Sequence, residues 1–156
     1  MTRTRVANLI PVLLVVGLAV YLLLQRAYED FPPLGYVTPV PLAVLAAVEW
    51  ALSRRVRAVV GHDPDAKPMM AITITRLVAL GKASALVGAG MAGAALGLVA
   101  YVAPDFGRVS AARSDTIVGS LLALTALLLC AAGLALERAG IAPTDGTTPR
   151  QAASGH

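Results

Sequence analysis

Residues 81–97 read GKASALVGAGMAGAALG and are rich in glycine and alanine. Small residues recur in it at every fourth position, namely Gly81, Ala85, Ala89, Gly93 and Gly97. A helix face made of such residues lets a second backbone approach closely, and close packing then replaces the hydrophobic drive that lipid cannot supply. The series predicts a transmembrane helix packed tightly against another helix, either in this chain or in another protein.

The quoted stretch lies inside an apolar run, residues 71–103, that is longer than one bilayer crossing requires. Arg76 and Lys82 lie in its first half, so we place the crossing at about residues 80–103. Three other apolar runs cover about residues 6–24, 37–52 and 116–136. A cleaved signal peptide is the alternative for the first run, but the run exceeds the usual length and no small-residue cleavage site follows it.

These four runs predict an all-α fold, an integral membrane four-helix bundle formed by residues 1–140. Residues 141–156 are rich in Gly, Pro, Ser and Thr, and we expect a disordered cytoplasmic tail. The composition agrees, because 57% of residues are hydrophobic and 14% are charged, against roughly 45–50% and 25% in soluble domains. The lipid bilayer is therefore the first predicted partner.

The basic residues predict the orientation of the chain. If both termini are cytoplasmic, ten Lys and Arg lie inside and three lie outside, namely Arg26, Arg108 and Arg113. This asymmetry is typical of a multi-pass membrane protein in that orientation. The net charge of +4 does not indicate nucleic-acid binding, because the basic residues flank apolar runs without interleaved aromatic residues.

Glu49 is the only acidic residue well inside a predicted span. In an antiparallel pair of the second and third helices, Lys82 or Arg76 would lie at a similar depth. We therefore expect a structural ion pair of Glu49 with Lys82 or Arg76. Proton or ion coupling through Glu49 is the alternative, since a carboxyl inside a membrane marks a candidate functional site.

Other motifs do not indicate a site when their context is considered. His62, Asp63 and Asp65 lack the second ligand pair of a zinc or calcium site. Residues 88–93 fit GxGxxG, but no strand precedes them. Cys130 lies in an apolar run as a small packed residue. We predict no catalytic residue, no metal and no cofactor.

Three stretches carry a resemblance to a known family: Phe31-Pro-Pro-Leu34, Glu49-Trp50 followed by Arg57, and above all residues 76–93. The chain resembles, over about residues 5–137, an uncharacterised actinobacterial family of small membrane proteins, domain of unknown function 3180. The resemblance implies four membrane helices and a plasma-membrane location, and it implies no activity.

Two functions from different classes follow from these observations. The first is a non-enzymatic scaffold or accessory subunit of a cell-envelope assembly, bound to another membrane protein or to itself through the third helix. The second is a small proton- or ion-coupled transporter that uses Glu49. An enzyme ranks third, because the loops are short and poor in polar side chains.

Overall fold

The computed structural model describes residues 6–28, 35–61, 70–107 and 110–140. Its helices are α1 (Val6–Ala27), α2 (Val40–Val60), α3 (Ala71–Val102) and α4 (Ser110–Ala139), with a short 3-10 turn at Ala103–Asp105. The predicted all-α fold of four helices is confirmed. The loop with His62, Asp63 and Asp65, the segment Phe31–Leu34 and the predicted tail lie outside the described residues.

Three of the helices are long and apolar enough to cross a membrane: Ala7–Arg26 in α1, Ile72–Asp105 in and after α3, and Ser110–Ala139. The chain is therefore a membrane protein. Helix α2 is outside this set, and it carries Glu49 and three arginines within 21 residues.

Helices α3 and α4 form the central pair. They run antiparallel, because Gly81 faces Gly133 while Gly88 lies against Ala126 and Cys130. Helix α1 packs along α3, and α2 packs along α4. In the described part of the chain, α1 and α2 make no extensive contact with each other.

Helix α2 runs parallel to α4 rather than forming mainly a pair with α3. Leu42 near its start packs in a cluster with Ala95 and Leu122. Val56 near its end packs with Leu136 and Ala139. The helix begins where Pro39 and Pro41 occupy its cap and first turn, positions that need no backbone N–H.

Each helix extends beyond its predicted span at one end or at both. Helix α2 continues past Leu52 to Val60, because arginine is a good helix former and its long side chain reaches outward to polar surroundings. Helix α4 begins at Ser110 rather than at Thr116. Asp115, just before the predicted span, therefore lies inside α4 and is buried.

Candidate functional site

The contact between α3 and α4, here called the α3–α4 seam, brings two backbones together. A Cβ atom built on Gly88 would lie 2.6 Å from the Cys130 backbone nitrogen. A Cβ on Gly81 would lie 2.6 Å from the Gly133 carbonyl oxygen, and one on Gly133 would lie 2.5 Å from that of Gly81. No real Cβ approaches backbone this closely, so only glycine fits these positions without a shift of a helix.

The contact between α1 and α3, here called the α1–α3 seam, also places glycines against backbone, towards the other end of α3. A Cβ on Gly17 would lie 2.9 Å from the Gly93 carbonyl oxygen. Cβ atoms on Gly93 and Gly97 would overlap the carbonyl oxygens of Leu13 and Gly17, respectively. The seam therefore depends on glycines from both helices.

The five small residues predicted to form one groove divide between these two seams, and all five are buried. Each step of four residues exceeds one helical turn by about 40°, so four steps from Gly81 to Gly97 turn the series by about 160°. Gly81 accordingly faces α4, while Gly93 and Gly97 face α1. Ala85 and Ala89 lie between the two directions, packed with Leu9 of α1.

The glycines that complete the seams on the neighbouring helices were not singled out by the sequence analysis. Gly17 lies in α1 and Gly133 in α4, each within an apolar run. The available signal was the glycine itself, since glycine inside a helix lowers helix propensity and usually has a packing reason. Both partners of α3 are therefore in the same chain.

Glu49 is fully buried, with 0% of its surface exposed. The Ser84 hydroxyl on α3 donates a hydrogen bond to its Oε1. Its Oε2 has no hydrogen-bond partner among the described residues. The carboxyl group is thus held between α2 and α3 by one hydroxyl, with one oxygen left over.

The expected ion pair of Glu49 is not present in the described part of the chain. Lys82 and Arg76 are exposed, and the partner of Glu49 is Ser84. The reason is helical geometry, because Lys82 and Ser84 are two residues apart and point about 200° away from each other around α3. A helix that places Ser84 towards α2 turns Lys82 to the opposite side.

A second acidic residue, Glu137 on α4, is also buried, with 3% of its surface exposed. Its backbone nitrogen lies 3.0 Å from the Cβ position of Gly81, one turn of α3 before Ser84. Ser53, one turn after Glu49 on α2, is buried and donates to the Trp50 carbonyl over 2.8 Å. We call Glu49, Ser53, Ser84 and Glu137 the carboxyl junction.

The described residues contain no group of three or more His, Cys, Asp or Glu side chains that could hold a metal ion. The model of the family described as "Protein of unknown function (DUF3180)" matches residues 9–144, which include both seams and the carboxyl junction. The chain belongs to this family. This match confirms the predicted resemblance to domain of unknown function 3180. No curated protein matches the chain, and neither does any solved structure.

A cluster of tyrosines joins three helices at the end of the fold opposite the carboxyl junction. The Tyr28 hydroxyl donates to Asp115 Oδ2 of α4 over 2.9 Å. The Tyr101 ring of α3 lies 5.2 Å from the Tyr28 ring and 6.2 Å from the Tyr21 ring, between centroids. Burial, followed by the hydrogen bond to Asp115 and its charge, raises the pKa of Tyr28 to about 12.

Proposed function

We propose that this chain is a non-enzymatic protein of the plasma membrane, a scaffold or accessory subunit of a cell-envelope assembly. The observation that carries the proposal is the exposure of α1. Within the apolar window of α1, 11% of residues are buried, compared with 44% in α3 and in α4. Leu14, Leu18 and Leu22 are exposed along α1 and form an apolar face beside lipid or a partner helix.

The partner is proposed to contact α1 rather than α3. The small residues of α3, which suggested a partner helix, are occupied by α1 and α4 of the same chain. A bound helix therefore needs another surface. Helix α1 is anchored along the α1–α3 seam and presents its opposite side outward.

Photo-crosslinking in native membranes tests this proposal. A photoreactive phenylalanine analogue is introduced at Leu14, at Leu18 and, as the control, at the exposed Leu124 of α4. We expect one membrane protein to be crosslinked from both α1 positions and not from Leu124, and the reciprocal crosslink to be obtained from that partner. Equal, unselective adducts from all three positions would contradict the proposal.

The proposed topology has four crossings with both termini in the cytoplasm. Support for a crossing by α2 comes from its position beside α4, from Leu42 near Leu122 to Val56 near Leu136. The exposed face of α2 is apolar in the part that precedes its arginines, and Glu49 is buried in the interior of the protein. Reporter fusions after Gly61 and Ala142 should be cytoplasmic and one after Arg108 external. An external reporter after Ala142 would contradict the four-crossing topology.

A small proton- or ion-coupled transporter is the second candidate, and one observation favours it. Glu49 is fully buried and keeps one carboxyl oxygen without a partner in the described structure. Proteoliposomes containing the protein and an internal pH-sensitive dye test this function. A solute extract of the native cells should cause a proton flux that Glu49→Gln abolishes, whereas the absence of any Glu49-dependent flux would contradict transport.

A further inference from the structure

We propose that Glu49 and Ser84 form a binding site for a proton, rather than for a metal cation, at the contact of α2 with α3. The inference rests on the second candidate function for its use by the cell. The site itself is argued from the buried carboxyl and its unpartnered oxygen.

The number of oxygen ligands selects the proton. Glu49 and Ser84 together offer three side-chain oxygens. The nearby Ser53 hydroxyl already donates within its own helix. Hard cations such as Ca²⁺ and Mg²⁺ need about six to eight oxygens, including waters. A proton needs one, and Glu49 Oε2 is that oxygen.

The residues around Glu49 also indicate the side from which the proton enters. One turn further along α2 lies the buried Ser53, followed by the exposed Arg54. At 1.5 Å per residue, Arg54 is about 7 to 8 Å along the helix from Glu49. In the other direction, α2 offers only apolar residues back to Val40. The polar route therefore leads to the arginine-bearing end of α2.

Few charged groups face Glu49 from the neighbouring helices. On α4 two carboxyl groups are buried, Glu137 beside Gly81 of α3 and Asp115 at the opposite end beside Tyr28. On α3, Arg76 and Lys82 are exposed, and Lys82 points away from Ser84. On α2 itself, Arg54, Arg55 and Arg57 are exposed beyond Ser53. An ionised Glu49 would therefore be buried without a cation, which is costly in a membrane. While α2 and α3 are in contact, Glu49 is therefore a neutral carboxylic acid.

Proton loss would act on the contact between α2 and α3. Helix α2 is packed along α4, and the Ser84 hydroxyl of α3 donates a side-chain hydrogen bond to Glu49 of α2. An ionised Glu49 would need water or an arginine, and both lie towards the arginine-bearing end. Deprotonation is therefore expected to loosen α2 from α3 while its packing on α4 remains.

Labelling with dicyclohexylcarbodiimide, an apolar reagent that enters membranes, tests the site. The proton of a carboxylic acid moves to a carbodiimide nitrogen and the carboxyl oxygen adds to the central carbon, so an ionised carboxylate is not labelled. Full-length protein in native membranes is treated over a pH series, in sodium chloride or choline chloride, and adducts are located by mass spectrometry. Glu137→Gln serves as the matched control, and Glu49→Gln as the negative control.

We expect a Glu49 adduct that disappears with rising pH, equally in both salts, and that Glu137→Gln retains. Ser84→Ala should shift the midpoint of labelling to higher pH, because the serine hydroxyl donates a hydrogen bond that favours the carboxylate. A merely structural serine would change thermal stability and leave the midpoint in place.

Protection of Glu49 by sodium chloride would overturn the proposal in favour of a cation site, and failure to label at any pH would also overturn it. Labelling as expected in a protein that shows no proton flux would remove the transporter function and leave the proton site in place.

Discussion

The α1–α3 seam and the α3–α4 seam are made of the same residue type, yet they differ in what lies behind each helix. Behind α4 lies α2, which packs along it. Behind α1 the described structure places no further helix, and its outer face is exposed. The same glycine-to-backbone contact should therefore stabilise the whole fold in one seam and only the attachment of α1 in the other.

Replacing Gly88 by leucine should produce the largest effect. A side chain there meets the backbone of Ala126 and Cys130, so α4 must move and carry α2 with it. We expect a loss of about 3 kcal/mol or more in the free energy of unfolding. Thermal unfolding in detergent, followed by size-exclusion chromatography, measures the effect as loss of the monodisperse fraction.

Gly90→Leu is the matched control on the same helix. Apart from the adjacent backbone of α3 itself, no atom lies within 4 Å of a Cβ on Gly90, so a larger side chain enters open space. Its unfolding curve should remain close to that of the wild type. If Gly88→Leu and Gly90→Leu unfold alike, the α3–α4 seam contributes nothing specific.

In the α1–α3 seam, Gly93→Leu and Gly97→Leu should produce a smaller, local effect. The added side chain overlaps a carbonyl oxygen of α1, and α1 can move away without displacing α4. Overpacking of this kind costs about 1–3 kcal/mol. Hydrogen–deuterium exchange should rise in α1 well before it rises in α4.

Leu127→Val is the control for these two variants, because Leu127 is exposed on α4. Leu122 appears equivalent in the sequence but is buried, so it is not a neutral position. Simultaneous exchange of α1 and α4 in Gly93→Leu would show that the two seams unfold as one unit and would remove the distinction between them.

The sequence contains the small-residue series, and its recurrence was enough to predict close packing of the third helix. The series divides between α1 and α4 for two reasons. Its members drift around α3 with each step of four residues, and α1 begins at a particular depth along α3. The drift can be calculated from the helical repeat. The depth depends on where α1 lies along α3, which no local pattern contains.

The hydrogen-bond partners of polar residues were harder to predict from the sequence than the close packing of small residues. Glu49 was identified because a carboxyl group inside an apolar run is unusual. Its partner was assigned by charge and depth, which favoured Lys82, although the angular position around α3 favours Ser84. Asp115 lies just before the predicted fourth span, and no local pattern indicated its partner Tyr28, which is 87 residues away in sequence. Contacts over such separations depend on the packed structure.

A variant in the tyrosine cluster compares two attachments of α1: the hydrogen bond at its C-terminal end and the glycine contacts of the α1–α3 seam. Tyr28→Phe removes the hydrogen bond to Asp115 of α4 and keeps the ring beside Tyr101. We expect a loss of about 1 kcal/mol, smaller than the loss from the seam variants. Thermal unfolding at neutral pH measures it, and Tyr36→Phe, at an exposed tyrosine, is the control.

The same variant has a pH signature. The pKa of Tyr28 is raised from 10.0 to about 12, so the folded protein holds this proton more tightly than the unfolded chain does. The resulting stabilisation is complete below about pH 10 and is lost between about pH 10 and pH 12. Stability should fall less steeply across this window in Tyr28→Phe than in the wild type. Equal slopes would contradict the part-buried Tyr28–Asp115 hydrogen bond.

The smallest expected effect is a coupling energy near zero between Glu49 and Lys82. Two double-mutant cycles compare the opposite sides of α3, one with Glu49→Gln and Ser84→Ala, the other with Glu49→Gln and Lys82→Met.

Because Ser84 donates to Glu49 while Lys82 is exposed, we expect a coupling of about 0.5–3 kcal/mol in the first cycle. The second should be additive within about 0.5 kcal/mol. Thermal unfolding in detergent at one pH provides all five variants and the wild type on one scale. A Lys82 coupling as large as that of Ser84 would mean that α3 presents Lys82 to α2, and the rotation of α3 that divides its glycines between the two seams would then be wrong.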